Sequence, residues 1–313
     1  MDFVSLNPDT KVLPGAVNMG LVSTSEGLVA IDTGLDKQSA KRIIRVSESL
    51  GKPLAAVINT HAHADHFGGN RALLARYPQA RVFAPVDEAA VIRQPMFEPQ
   101  YLWQGALPFS SLKNKFLLAE ASRVDVEFKP GSTLTIGGTD FGAIPLPGHA
   151  HGQCGILVND VLFAADSYFG ASIIDKHGIP YMVDYRETLQ SAKAAKLVSA
   201  AWWVPGHGNA TEDPQTDILH LCARHEGAFE EVVRYASGEK GVTLDEVTGW
   251  MCRKFNLTPS NPGAWLLVRT TVAAYVSAAI EDHDIETGVI DGVLKVYATI
   301  SAPVDSTGTD KQV

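Results

Sequence analysis

Apolar positions along this chain follow strand-like patterns first and helical spacing later. Residues 17–23 and 27–32 read as extended segments around a Ser25-Glu26-Gly27 turn, and Gly34 ends the second. Ala40, Ile43, Ile44, Val46 and Leu50 share one face of a helix over 37–50, which Gly51-Lys52-Pro53 stops. A short buried strand over 54–58 runs straight into Thr60-His61-Ala62-His63-Ala64-Asp65-His66. A helix over 70–77 and a strand over 81–84 follow. This alternation predicts an α/β sandwich.

Residues 87–128 break the rhythm, mixing Phe97, Tyr101, Trp103, Phe109 and Phe116 with Pro and Ser. Such an insertion suits a lid over a pocket, or equally a structural cap or a dimer contact. Strands return over 134–136, 141–145, 155–158 and 161–165, divided by Gly137-Gly138 and Asn159-Asp160. Another covers 202–204 and ends at Pro205-Gly206-His207. Past Asp213-Pro214 the period becomes helical, through Ile218, Leu221, Cys222, Phe229, Val232, Val233 and Ala236. Thr243 with Glu246 is a capping-box pattern that opens a second helix to about Phe255. A third helix over 263–282 and a hairpin from 289–290 and 294–300 close the pattern. The expected organisation is a catalytic domain over 1–213, a helical domain over 214–304 and a polar, frayed tail over 305–313.

Composition narrows this picture. The 45% hydrophobic content supports a real core and argues against disorder. A net charge of −9 disfavours a nucleic-acid surface and leaves a small-molecule substrate as the expected partner. Cys154, Cys222 and Cys252 show no CxxC spacing, as expected for free thiols in a reducing compartment, and Cys154 reads as a core thiol. The N-terminus lacks a signal-peptide pattern, and the apolar stretch at 264–280 is interrupted by Arg269, Thr270 and Thr271. A cytoplasmic protein without a membrane partner is expected.

The chemistry concentrates in the histidines. Three of the ten fall within six residues. His61 and His63, two apart in an extended segment, point the same way. Asp65 and His66 follow at once, and Gly68-Gly69 lets the backbone pass close by. Clustered imidazoles with a carboxylate suit a divalent metal such as zinc. Three histidines packed at one strand end without a metal is a far weaker account.

His61-x-His63-x-Asp65-His66 resembles the HxHxDH signature of the metallo-β-lactamase superfamily, of the glyoxalase II-like binuclear type. Four further segments resemble later or earlier family motifs in the right order: Ile31-Asp32-Thr33-Gly34, Pro147-Gly148-His149, Phe163-Ala164-Ala165-Asp166 and Pro205-Gly206-His207-Gly208. The resemblance implies a metallo-β-lactamase-like αββα sandwich with a C-terminal helical, winged-helix-like appendage. It implies that His61, His63 and His149 hold one metal, that Asp65, His66 and His207 hold a second, that Asp166 bridges them and that Asp32 supports the site from behind. Two divalent ions are implied, zinc first and iron or manganese as alternatives. Redox-active di-iron relatives usually carry glutamate where this chain has His63, so hydrolysis is favoured over electron transfer.

The expected activity is hydrolysis of an ester-like bond, a thioester or lactone of a small metabolite, by a metal-bridging hydroxide, with Asp65 orienting the nucleophile or shuttling its proton. Two alternatives stand beside it. One is a metal-dependent phosphodiesterase or ribonuclease, because the tail from Pro214 resembles an appendage of some nuclease relatives. The other is a non-catalytic, metal-binding regulatory protein. A homodimer is left open. His151 competes with His149 as a ligand, and the Pro-Gly-His context favours His149. His177 and Tyr181 are expected in a loop, solvated more readily than in contact with substrate. His220, His225 and His283 are placed on helices without a role, His225 as a packing residue.

Overall fold

The computed structural model describes residues 3–238 and 241–299. The expected tail at 305–313 and the last residue of the expected hairpin, Ile300, lie outside the described residues. A first sheet contains β1 (Val4–Ser5), β2 (Thr10–Leu13), β3 (Met19–Thr24), β4 (Gly27–Ile31), β5 (Leu54–Ile58), β6 (Arg81–Pro85) and β7 (Val126–Phe128), in that spatial order. It is antiparallel up to β4 and parallel from β4 to β7. Between its parallel strands run α1 (Lys37–Leu50), α2 (Ala64–Phe67), α3 (Asn70–Arg76), α4 (Val86–Arg93) and α5 (Phe97–Leu102).

A second sheet holds β8 (Thr133–Ile136), β9 (Thr139–Pro145), β10 (Cys154–Val158), β11 (Val161–Ala165) and β12 (Trp202–Pro205), in the order β12-β11-β10-β9-β8. Its β11–β12 pair is parallel, joined through α6 (Ala171–His177) and α7 (Tyr185–Leu197).

The pleat explains the layers. Along β4, Val29 and Ile31 enter the core between the sheets, while Leu28 and Ala30 face α1 and α3. A strand covered on both faces must be apolar throughout, as the fully buried Gly27–Ile31 is. Phe163 and Ile156 close the inter-sheet core from the second sheet. Leu162 and Ala164 turn outward, into the layer formed by α6, α7 and the helix that follows β12. The result is the expected αββα sandwich.

The C-terminal region contains α8 (Gln215–Ala236), α9 (Leu244–Lys254), α10 (Pro262–Glu281) and a hairpin of β13 (Ile285–Ile290) with β14 (Val293–Ala298). They share their own core around Val232, Met251, Val272 and Tyr275. The expected capping box is present: Glu246 N donates to Thr243 Oγ1 at 3.2 Å, and Thr243 N donates to Glu246 Oε2 at 2.7 Å. α10 is long and apolar enough to cross a membrane, yet half of its most apolar stretch is buried inside the protein.

Several elements escaped the sequence pattern. α7 buries only Thr188, Ser191, Ala192 and Ala195, so its inward face is small and polar and leaves no hydrophobic period. His177 ends α6 rather than sitting in a loop. His283 follows α10 at φ +62°, outside any helix. The aromatic-rich segment begins with α4, packed in the first layer, and ends with β7 in the first sheet. Its middle, through Leu102, Leu112 and Leu117, packs on Leu266 of α10.

Phe163 is 4% exposed and fills the inter-sheet core against Gly20, whose Cβ, if it had one, would lie 2.5 Å from the ring. Phe163→Ala is expected to remove about 3–5 kcal/mol of stability. Denaturant unfolding measures this, and a loss under about 1 kcal/mol would contradict the assigned packing.

Candidate metal centre

Each expected site residue sits just past the C-terminal end of a strand. Asp32 follows β4, and His61 to His66 follow β5 into α2. His149 follows β9, Asp166 follows β11 and His207 follows β12. Both sheets therefore contribute to one edge of the sandwich, where open α/β sheets place their ligands.

Three ring nitrogens meet there. His61 Nε2 lies 3.1 Å from His63 Nδ1, which lies 2.8 Å from His149 Nε2. Their ligand atoms form one group within 4.8 Å of one another, and Asp65, His66 and His207 form another. His61, His66 and Asp166 make a third group that joins the two. Asp166 Oδ2 is 3.2 Å from His149 Nε2 and 3.4 Å from His207 Nε2, so it touches both groups. All seven expected ligand residues come together. His151 is exposed and belongs to none of the groups.

The opposite ring nitrogens show how the imidazoles are aimed. His149 Nδ1 donates to Tyr181 O at 2.9 Å, and His207 Nδ1 donates to Ala16 O at 2.6 Å. His66 Nδ1 is 2.8 Å from Asp32 Oδ2. Thr60 Oγ1 donates to Asp32 Oδ2 at 2.8 Å, so its lone pair is left to accept from His61 Nδ1 at 3.0 Å. With Nδ1 engaged by these partners, the four Nε2 atoms face a common volume. Asp32 thus holds His66 directly and His61 through Thr60, while also accepting from Thr60 N at 2.9 Å.

The electrostatics divide the cluster. Burial, reinforced by neighbouring imidazoles, holds His61 well below its usual pKa and brings His63 down to about 3. Burial also lowers His149, against the pull of Asp166. On the other side burial opposes the charge of His66, but Asp166, Asp32 and Asp65 outweigh it and raise that imidazole well above normal. His207 rises to about 10 because Asp166 and Asp65 overcome its burial. Despite burial, the histidines hold Asp166 well below the carboxylate range and bring Asp65 to about 2.

The donor set fits divalent cations. Among the described residues, His66 Nε2 and Asp166 Oδ1 are sealed from solvent and make no hydrogen bond, although they lie 3.4 Å apart. Unsatisfied buried polar atoms are costly, and a cation between them would satisfy both. Histidine nitrogens with carboxylate oxygens suit zinc, manganese or iron. Backbone is kept close by glycine: a Cβ on Gly206 would lie 2.0 Å from Asp166 Oδ1, and one on Gly68 would lie 2.0 Å from Leu35 O.

Tyr181, expected as a solvated loop residue, is instead part of the site. Its ring meets the His63 and His149 rings edge-on, at 5.4 and 5.5 Å. It lines, with His177, a cavity of about 880 Å³ whose floor includes His63, Asp65, His149, Asp166 and His207. His225 is fully buried, as expected, and its Nδ1 lies 2.6 Å from Tyr275 Oη.

Three supporting residues were missed. Glu88 on α4 is 6% exposed; it accepts from Ala62 N at 2.9 Å and from Gly152 N at 2.7 Å. It therefore ties the His61–His63 loop to the loop after His149. Gln153 Oε1 accepts from Asp166 N at 3.2 Å, and Asn18 Nδ2 donates to Pro205 O and Gly208 O, on either side of His207. A glutamate beside Ala89 and Ile92 on an inward helix face was a usable signal. Gln153 and Asn18 carried none.

A model of the family described as "Metallo-beta-lactamase superfamily" matches residues 12–207. The chain is 32% identical over 216 residues to the uncharacterized protein YobT of Bacillus subtilis (strain 168), covering 63% of this chain and 85% of that one. It is 30% identical over 138 residues to a hydroxyacylglutathione hydrolase of Synechococcus sp. (strain JA-2-3B'a(2-13)), covering 43% of each, so it spans less than half of that relative. In three dimensions it is similar to a metallo-beta-lactamase family protein from Thermus thermophilus, with a TM-score of 0.72 at 18% identity over 94% of this chain and 100% of the other. That last likeness concerns the fold.

Glu88→Ala is expected to weaken zinc binding about 10–100-fold, the usual effect of losing a partner that orients metal ligands. Competition with a chelator measures it. Unchanged affinity in a folded variant would show that the two loops do not depend on Glu88.

Proposed function

We propose that this chain, which belongs to the metallo-beta-lactamase superfamily, is a binuclear metal-dependent hydrolase acting on an ester-like bond, a thioester or lactone, of a small molecule. The observation that carries this reading is the convergence of seven ligand side chains, five of which (His63, Asp65, His149, Asp166 and His207) line a cavity large enough for a small metabolite. His61, His63 and His149 would hold one cation, and Asp65, His66 and His207 the other, with Asp166 shared. When bound, such a pair lowers the pKa of a coordinated water towards neutrality and polarises the substrate oxygen. Zinc suits the histidine-rich set best.

The chain's own groups do the rest. Asp65 lines the cavity, its side chain one-third exposed, with His207 Nε2 at 3.4 Å. In this reading it would orient the attacking water and take and return its proton. Burial pushes the Tyr181 phenol up, so it stays a neutral hydrogen-bond donor beside His63 and His149. No serine or cysteine nucleophile is called on; the Cys154 thiol is buried and faces Thr60 O at 3.8 Å.

A screen of thioesters, lactones, phosphodiesters and RNA, with protein loaded with zinc, manganese or iron, tests the reading beside His63→Ala and Asp166→Ala. Both variants should lose activity on the order of 100-fold or more, beyond the usual effect of an outer partner. Full activity in both would place the site elsewhere. Preference for phosphodiesters or RNA would move the chain to the nuclease reading, and no hydrolysis under any loading would favour a regulatory role.

A further inference from the structure

The cavity above the site has an apolar roof. Phe116 and Leu117 come from the segment after α5, Ile173 comes from α6, and Leu267 and Val268 come from α10. On α10, Ala264, Leu267, Val268 and Thr271 recur at helical spacing, so one stripe of the helix lines the cavity. Leu266, Val272 and Tyr275 point the other way, into buried clusters. Leu267 and Val268 also pack in part on those clusters, so α10 is apolar around much of its circumference, and Ala264, Leu267 and Val268 stay half-buried at the cavity. An extended apolar ligand would cover what Ala264, Leu267 and Val268 leave exposed; Thr271 is already buried.

The charge on the walls points the same way. Among the described residues, the lysine and arginine on the lining are Lys176 and Arg224. Arg224 is already engaged by Asp175 at 3.3 Å and by Gly178 O at 3.0 Å. Glu98 also lines the cavity; burial pushes its carboxyl well above the usual carboxylate range, and it adds no cation to the walls. A polyanionic ligand would need a surplus of positive charge, which these walls lack.

Resting on the hydrolase reading, we propose that this cavity is an acyl chamber, which takes substrates whose acyl group is an extended apolar chain lying along α10 with its ester-like carbonyl at the metal-ligand floor. Hydrolysis would add water across the acyl–sulfur or acyl–oxygen bond: the water oxygen joins the carbonyl carbon, the leaving sulfur or oxygen takes a proton, and a carboxylic acid departs.

Two measurements on the metal-loaded protein test it. The first is kcat/KM for straight-chain acyl thioesters of N-acetylcysteamine, from about two to about ten carbons. The second is Kd for the matching S-alkyl thioethers, which have no thioester carbonyl to hydrolyse. Each buried methylene should improve both by about fourfold until the chamber is full, as follows from about 0.8 kcal/mol per buried CH₂. Leu267→Lys, which sets a cation in the stripe, should flatten both trends. A Kd that does not change with chain length in the unsubstituted protein overturns the chamber, whatever the variant does. Tightening Kd without turnover of any thioester or of the matching acyl lactones supports the chamber and removes the ester-hydrolase reading instead.

Discussion

Imidazole nitrogens and carboxylate oxygens are crowded together at one edge of this sandwich. Three imidazole nitrogens stand within 3.1 Å along the His61–His63–His149 chain of contacts. The rings are fixed from behind: Asp32 holds His66 directly and His61 through Thr60, Tyr181 O holds His149, and Ala16 O holds His207. The surrounding fold can be understood as the frame that these backing bonds require.

That frame crosses the gap between the sheets. Asp32, His61 and His66 hang from the first sheet, and His149, Asp166 and His207 from the second. Glu88 connects the two through the backbone at Ala62 and Gly152, and Asn18 on the way into β3 secures the turn around His207. Filling the inter-sheet core with Val29, Ile31, Phe163 and Ile156 sets the spacing at which the two halves of the site meet. Packing far from the chemistry therefore fixes distances at the chemistry.

Much of this was legible from sequence, for identifiable reasons. The ligands cluster locally or follow strand ends, so His61, His63, Asp65 and His66, and the Pro-Gly-His segments at 149 and 207, stand out as patterns. The β4 and β5 runs and the α1 face are period signals of the same kind. What stayed hidden lacks a local signature. Glu88 stands out as a glutamate on an inward helix face, but its role stays hidden until the backbone amides it serves, 26 and 64 positions away, are known. α7 hides because its buried face is Thr, Ser and Ala. The role of Tyr181 depends partly on its carbonyl, which any residue would offer.

In the proposed hydrolase, the placement of α10 separates selectivity from reactivity. The floor of the cavity is set by strand ends, and the roof by a helix and a segment packed on it through Leu102, Leu112, Leu117 and Leu266. None of those four roof contacts is a ligand residue. Changes there can enlarge, narrow or tilt the space above the floor while the nitrogens and carboxylates beneath stay in register. One reactive floor can thus serve different guests by exchanging its ceiling.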